Sequence, residues 1–114
     1  MNWSLAGNTT GFGQGHLRSQ LVYVGNFSRA DRSEILFYEP SDNNWWLGTH
    51  DGNQLNWTFA GNTTGFGRGH LTGQLVYVGN FSRADRAEVL FYYPGDDNWW
   101  LGTHDGNQLN WTFA

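Results

Sequence analysis

Short apolar runs separated by polar, turn-forming clusters recur along the chain, and none has the spacing of an amphipathic helix. The first, Leu21-Val22-Tyr23-Val24-Gly25-Asn26-Phe27, is rich in β-branched and aromatic residues and ends in Ser28-Arg29-Ala30-Asp31-Arg32. It predicts a buried inner strand. The second, Glu34-Ile35-Leu36-Phe37-Tyr38, runs into Pro40-Ser41-Asp42-Asn43-Asn44, where Pro and Asx residues favour a turn. In the third, Trp45-Trp46-Leu47-Gly48-Thr49-His50, the two-residue period sends Trp45, Leu47 and Thr49 to one face and Trp46, Gly48 and His50 to the other. Both faces carry bulk. After the hairpin signal Asp51-Gly52-Asn53, residues Gln54 to Ala60 alternate, with Leu55, Trp57 and Phe59 inward and Gln54, Asn56 and Thr58 outward. This predicts a half-exposed outer strand, followed by the Gly-rich connection Gly61 to His70 and a second inner strand, Leu75 to Phe81.

The second half of the chain repeats the first. Residues 2–55 laid over 56–109 differ at ten positions, 4, 5, 14, 18, 19, 33, 35, 39, 41 and 43, out of 54. Such closeness is what recent duplication or deliberate design leaves behind. The units are 1–55 and 56–109, and 110–114 begins a third copy of the outer-strand segment. A period near 50 points to propeller blades or solenoid turns, which cannot bury their faces alone and need several neighbours. Strands graded from apolar to alternating fit a four-stranded blade whose inner strand lines a hub and whose outer strand meets water. The expected fold is therefore all-β: a β-propeller with two four-stranded antiparallel blades per chain. Rings close with about four to eight blades, so association has to complete it, as six blades from a trimer by preference, or from a tetramer or dimer. Asn2 to Ala6 and Asn110 to Ala114 would then compete for one slot, leaving one copy displaced.

Composition narrows the function. The chain has 114 residues, no Cys, and six basic against ten acidic residues for a net charge of −4. That balance is the wrong sign for a phosphate-tracking surface, so nucleic acid is not an expected partner. No stretch approaches the roughly 20 apolar residues of a membrane span, and no signal peptide opens the chain, so a soluble protein without membrane insertion is expected. Absent cysteines remove thiolate nucleophiles and disulfides.

The run Val24 to Tyr38, together with Asn44-Trp45-Trp46-Leu47-Gly48, resembles the blade of FG-GAP-related bacterial propellers and, more closely, of the Photorhabdus-type fucose-binding propeller lectins. The resemblance covers nearly the whole unit and recurs in both copies. It implies a β-propeller lectin that binds fucose, galactose-type or O-methylated sugars in pockets between neighbouring blades. Members of that group usually carry a full ring in one chain. Closure by association resembles instead a smaller group of fucose-binding propellers built from two-blade chains.

The residues offer matching chemistry. Trp45, Trp46 and Trp57, with their copies Trp99, Trp100 and Trp111, supply flat faces for sugar C–H stacking and indole N–H donors, although large side chains also simply fill a two-sided blade. Thr49, His50 and Asp51, with Thr103, His104 and Asp105, put hydroxyl, imidazole and carboxylate groups beside them, where Asp-Gly turn chemistry is the plainer explanation. Arg32 and Arg86 lie in clusters (Arg29, Asp31, Arg32, Glu34 and their copies) that could clamp a sugar or form structural ion pairs. No cofactor is expected. In the calcium-binding form of FG-GAP loops oxygen ligands alternate, and the corresponding Asn26, Ser28, Ala30 and Glu34 include an Ala and one carboxylate; His16, His50, His70 and His104 are too scattered for zinc. His50-Asp51 has no Ser or Cys partner, so no catalytic residue is assigned. The functional expectation is a multivalent, non-enzymatic lectin with glycan partners; the alternative is a structural or engineered symmetric propeller that ignores sugar.

Overall fold

The computed structural model describes residues 3–12, 21–66, 75–94 and 96–114. Eight strands follow the predicted runs: β1 Leu21–Gly25, β2 Glu34–Glu39, β3 Asn44–His50, β4 Leu55–Asn62, β5 Leu75–Gly79, β6 Glu88–Tyr93, β7 Asn98–His104 and β8 Leu109–Phe113. They form two four-stranded antiparallel sheets, each a meander in chain order. The first strands of the two sheets, β1 and β5, lie beside each other. Single 3-10 turns, Thr10–Phe12 and Thr64–Phe66, lie in the Gly-rich connections. Gly67 to His70 of the second connection, and His16, lie outside the described residues. Among the described residues no helix is long and apolar enough to cross a membrane.

Local chemistry sets the strand ends. β1 stops at Gly25 because the buried Glu34 carboxylate accepts hydrogen bonds from Ser28 N, at 2.7 Å, and from Ser28 Oγ, folding residues 26–33 into a closed turn. Glu88 holds Ser82 in the same way. The β2–β3 and β6–β7 turns each need a left-handed residue, and Asn43 (φ 62°) and Asp97 (φ 61°) supply it, since a short polar side chain tolerates that region best after glycine. β4 outruns the predicted strand. It carries a bulge in which Trp46 faces Phe59 and Trp45 faces Gly61, leaving Ala60 as the extra residue. The bend buries Ala60 and Gly61 and directs the chain toward the second sheet.

Each sheet carries bulky side chains on both faces. In the first, the register puts Tyr23, Leu36, Tyr38, Trp45 and Leu47 on a front face, and Ile35, Phe37, Trp46, Gly48, His50 and Trp57 on the back. The front of the first sheet packs on the back of the second, giving a core of Leu36, Tyr38, Trp45, Leu47, Val89, Phe91 and Leu109. Asn26 stitches the inner ends together: its carbonyl accepts from Ala87 N at 3.0 Å and its side chain donates to Asp85 O at 3.2 Å.

Twin residues consequently differ in exposure. Trp45 is 0% exposed and Trp99 38%; Phe27 is 1% exposed and Phe81 50%. On the opposite surface, His104 and Leu109 are buried at the junction, whereas His50 is exposed and Leu55 half-buried. The first strand departs from its expected burial for the same reason. Val22 and Val24 are exposed because no second sheet covers the back of the first. Phe59, expected inward, is exposed on that same back face.

Candidate functional site

The junction between the sheets gathers several of the sequence-derived candidates. Trp45, from the front of β3, lies with its ring centroid 5.4 Å from that of Trp111 on β8. Trp111 can enter because it opposes Gly102: a Cβ there would lie 2.5 Å from the indole. Gly48 gives Trp57 the same room in the first sheet, at 2.6 Å. On the back face of the second sheet, next along from Gly102, stands His104. Its Nδ1 accepts the Gly106 N–H at 3.0 Å, so the neutral ring carries its proton on Nε2. Burial pulls the His104 pKa below its ordinary value, against the attraction of Glu34 and Asp105 and with the help of Arg86. Glu34 belongs to the first sheet, whereas Arg86 precedes β6 of the second. Burial also pushes the Tyr23 hydroxyl, on the front of the first sheet, up to about 12.

Arg86 carries the unusual feature. Its Nε is buried and has no hydrogen-bond acceptor within the described residues. A buried charged donor is destabilising until an acceptor meets it.

Other candidates have structural duties. Trp45 is wholly buried and donates from Nε1 to Thr63 Oγ1 at 3.1 Å, so its ring is core rather than an open stacking surface. Asp51 holds its own hairpin: Oδ1 accepts from Asn53 N and Gln54 N at 2.8 and 2.9 Å, and Oδ2 from Asn56 Nδ2 at 2.9 Å. Asp105 does the same for Asn107, Gln108 and Asn110. The hydrogen bond from Gln54 N, then those from Asn56 and Asn53, lower the Asp51 carboxyl to about 2, and the equivalent set does so for Asp105. Thr49 Oγ1 reaches Asn56 O at 3.5 Å, and Thr103 is half-buried.

The adjacent tryptophans part company. Trp46 faces back and packs edge-on against Phe12, at 5.2 Å, and Phe59, at 5.6 Å. Trp57 meets Phe37 at 5.2 Å beside it. Trp100 repeats this with Phe66 and Phe113. Phe12 and Phe66 thus plug an aromatic cluster in each sheet, a role sequence reasoning missed; the signal was a lone apolar residue between glycines in an otherwise polar connection. Arg32, His50 and Trp99 are exposed in the single chain. Arg29 pairs locally with Asp31 at 3.2 Å, and Glu34 serves Ser28 rather than an arginine. Among the described residues no group of three His, Asp or Glu side chains could hold a metal ion.

Comparison with family models, curated proteins and solved structures finds no match. The resemblance to propeller lectins therefore stands on the residues quoted for it alone.

Proposed function

We propose that this chain binds carbohydrate without turning it over, at a site repeated at each junction between sheets, and that the sheets are blades of a β-propeller closed into a ring by further copies. One observation carries the binding reading: the buried Arg86 Nε, without an acceptor among the described residues, on the sheet that also holds the buried His104 imidazole. The Arg86 Nε–H is a donor in want of an oxygen, and the half-buried Trp111 of the same sheet offers an indole for C–H contact. Vicinal sugar hydroxyls satisfy that combination. Fucose and galactose-type or O-methylated sugars are the first to test.

The unequal twins support the ring. The front of the second sheet and the back of the first are the same two surfaces that already pack together inside the chain, so one copy's Trp99 face is complementary to the next copy's Arg32 and His50 face. Such a contact is head-to-tail and repeats until it closes. With two blades per chain, a trimer of six blades is preferred within the range of about four to eight that propellers use, and a tetramer or dimer also falls within it. Equal weak sites on every blade suit multivalent binding.

Calorimetric titration with fucose and galactose tests the reading. Saturable heat is expected, weakened roughly 10- to 100-fold in Arg86→Ala, the equivalent of losing about 1.5–3 kcal/mol from a charged hydrogen bond. No heat at millimolar sugar favours the second reading, a symmetric scaffold indifferent to sugar, for which the structural duties of Trp45, Asp51 and Asp105 speak.

A further inference from the structure

The outer-strand sequence occurs three times, but the described residues form two sheets. Asn56-Trp57-Thr58-Phe59-Ala60 and Asn110-Trp111-Thr112-Phe113-Ala114 hold the outer edges of the first and second sheets. Within the single chain residues 109–113 form β8, and residues 3–6 lie outside any strand, with Trp3 88% and Leu5 85% exposed.

The N-terminal copy is nevertheless aimed. Ala6 O accepts from Leu55 N at 2.6 Å, and Gly7 lies against Leu55, the first residue of β4. Gly61, the twin of Gly7, lies in the same way against Leu109, the first residue of β8. The chain therefore enters the first sheet as it enters the second, and what precedes Gly61 is the outer strand of the sheet before. By the same geometry, Trp3 to Leu5 point to the outer edge of whatever sheet covers the back of the first one.

We propose that Trp3–Leu5 exchanges with Trp111–Phe113 of a neighbouring copy, so that the outer edge of β7 accepts either its own C-terminal strand or the N-terminal strand of the next chain. This rests on the head-to-tail association above and is independent of sugar binding. The slot is specific for the shared residues: Gly102 leaves the space that an indole fills, and Leu101 O takes a hydroxyl, Thr112 Oγ1 at 3.4 Å, which Ser4 can replace. Position 113 sets the balance. Phe113 packs edge-on against Trp100 with centroids 5.8 Å apart, and Leu5 has no ring to offer, so the chain's own strand holds the slot and the neighbour's is the substitute.

The absence of native cysteine makes the exchange trappable. Thr112 opposes Leu101, so Ser4, its counterpart, would oppose Leu101 of the neighbour. Directly opposed strand residues have Cα separations within the range a disulfide spans. In Ser4→Cys/Leu101→Cys truncated after Leu109, mild oxidation should link chains covalently in most molecules; in the full-length double variant, where β8 competes, a smaller fraction should link. No interchain link in the full-length variant, which keeps every strand, overturns the proposal even if the truncated chain fails to fold. Native mass spectrometry of the unaltered chain separates the two ideas. A monomer there defeats the ring, whereas an oligomer whose variants do not cross-link defeats only the exchange.

Discussion

Trp45 and Trp99 occupy the same position in two nearly identical sheets and differ in what covers them, which makes their replacement by alanine a direct measure of the junction. Within its own sheet each ring meets the same neighbours: Tyr38 at 5.0 Å and Tyr23 at 6.4 Å for Trp45, Tyr92 at 5.1 Å and Tyr77 at 6.3 Å for Trp99. Trp45 adds Trp111 and the hydrogen bond to Thr63. Truncating a fully buried Trp costs about 3–5 kcal/mol in lost transfer energy and cavity, and the hydrogen bond about 1 more. Against the roughly 5–15 kcal/mol typical of whole domains, Trp45→Ala should remove a large share of the stability. Trp99 is 38% exposed, so in an isolated chain the same truncation should cost about 2–3 kcal/mol. Denaturant unfolding at two protein concentrations measures both. At low concentration Trp99→Ala should be the milder variant by about 2 kcal/mol. At high concentration, where a neighbour covers Trp99 in the parent chain, the gap should shrink, and Trp99→Ala should have lost the concentration dependence of the parent. Equal effects in dilute solution would refute the burial argument, and a parent midpoint that ignores concentration would refute the association.

Two further outcomes follow from single contacts. Alanine at Gly102 would place a Cβ 2.5 Å from the Trp111 indole, and overpacking of that kind costs about 1–3 kcal/mol; Gly48→Ala should cost less, because Trp57 can shift toward the uncovered back face. A thermal midpoint for Gly102→Ala equal to the parent's would contradict this. Asp51 and Asp105 have native pKa values of about 2, below the ordinary 3.8, so their support of the hairpins is complete above pH 4 and is lost as the pH falls toward 2. The parent's midpoint should therefore drop across that window, and Asp51→Asn/Asp105→Asn should show a flatter profile; parallel profiles would assign the acid loss elsewhere.

The strands were legible because their signals are local. Alternation along Leu55 to Trp57, the Asp51-Gly52 turn and the Pro40 to Asn44 cluster each act over a few residues, and the repeat applied every inference twice. Even the separation of Trp45 from Trp46 onto opposite faces followed from the period of a strand. The bulge at Ala60 was not legible, since an extra residue in β4 is defined by its pairing with β3 and alanine carries no mark of it. Nor was the closing of the 26–33 turn on Glu34, which joined residues that read equally well as an ion-pair cluster.

The candidate site shows the division most clearly. Composition and period determined that this chain would make two equivalent sheets with bulky aromatic residues on both faces. They could not assign Arg86 and His104 to a buried junction and Arg32 and His50 to open surface, because the twins share their type and nearly all their sequence neighbours. That difference belongs to the tertiary structure: burial depends on which sheet lies against which, and with two sheets only one front meets one back.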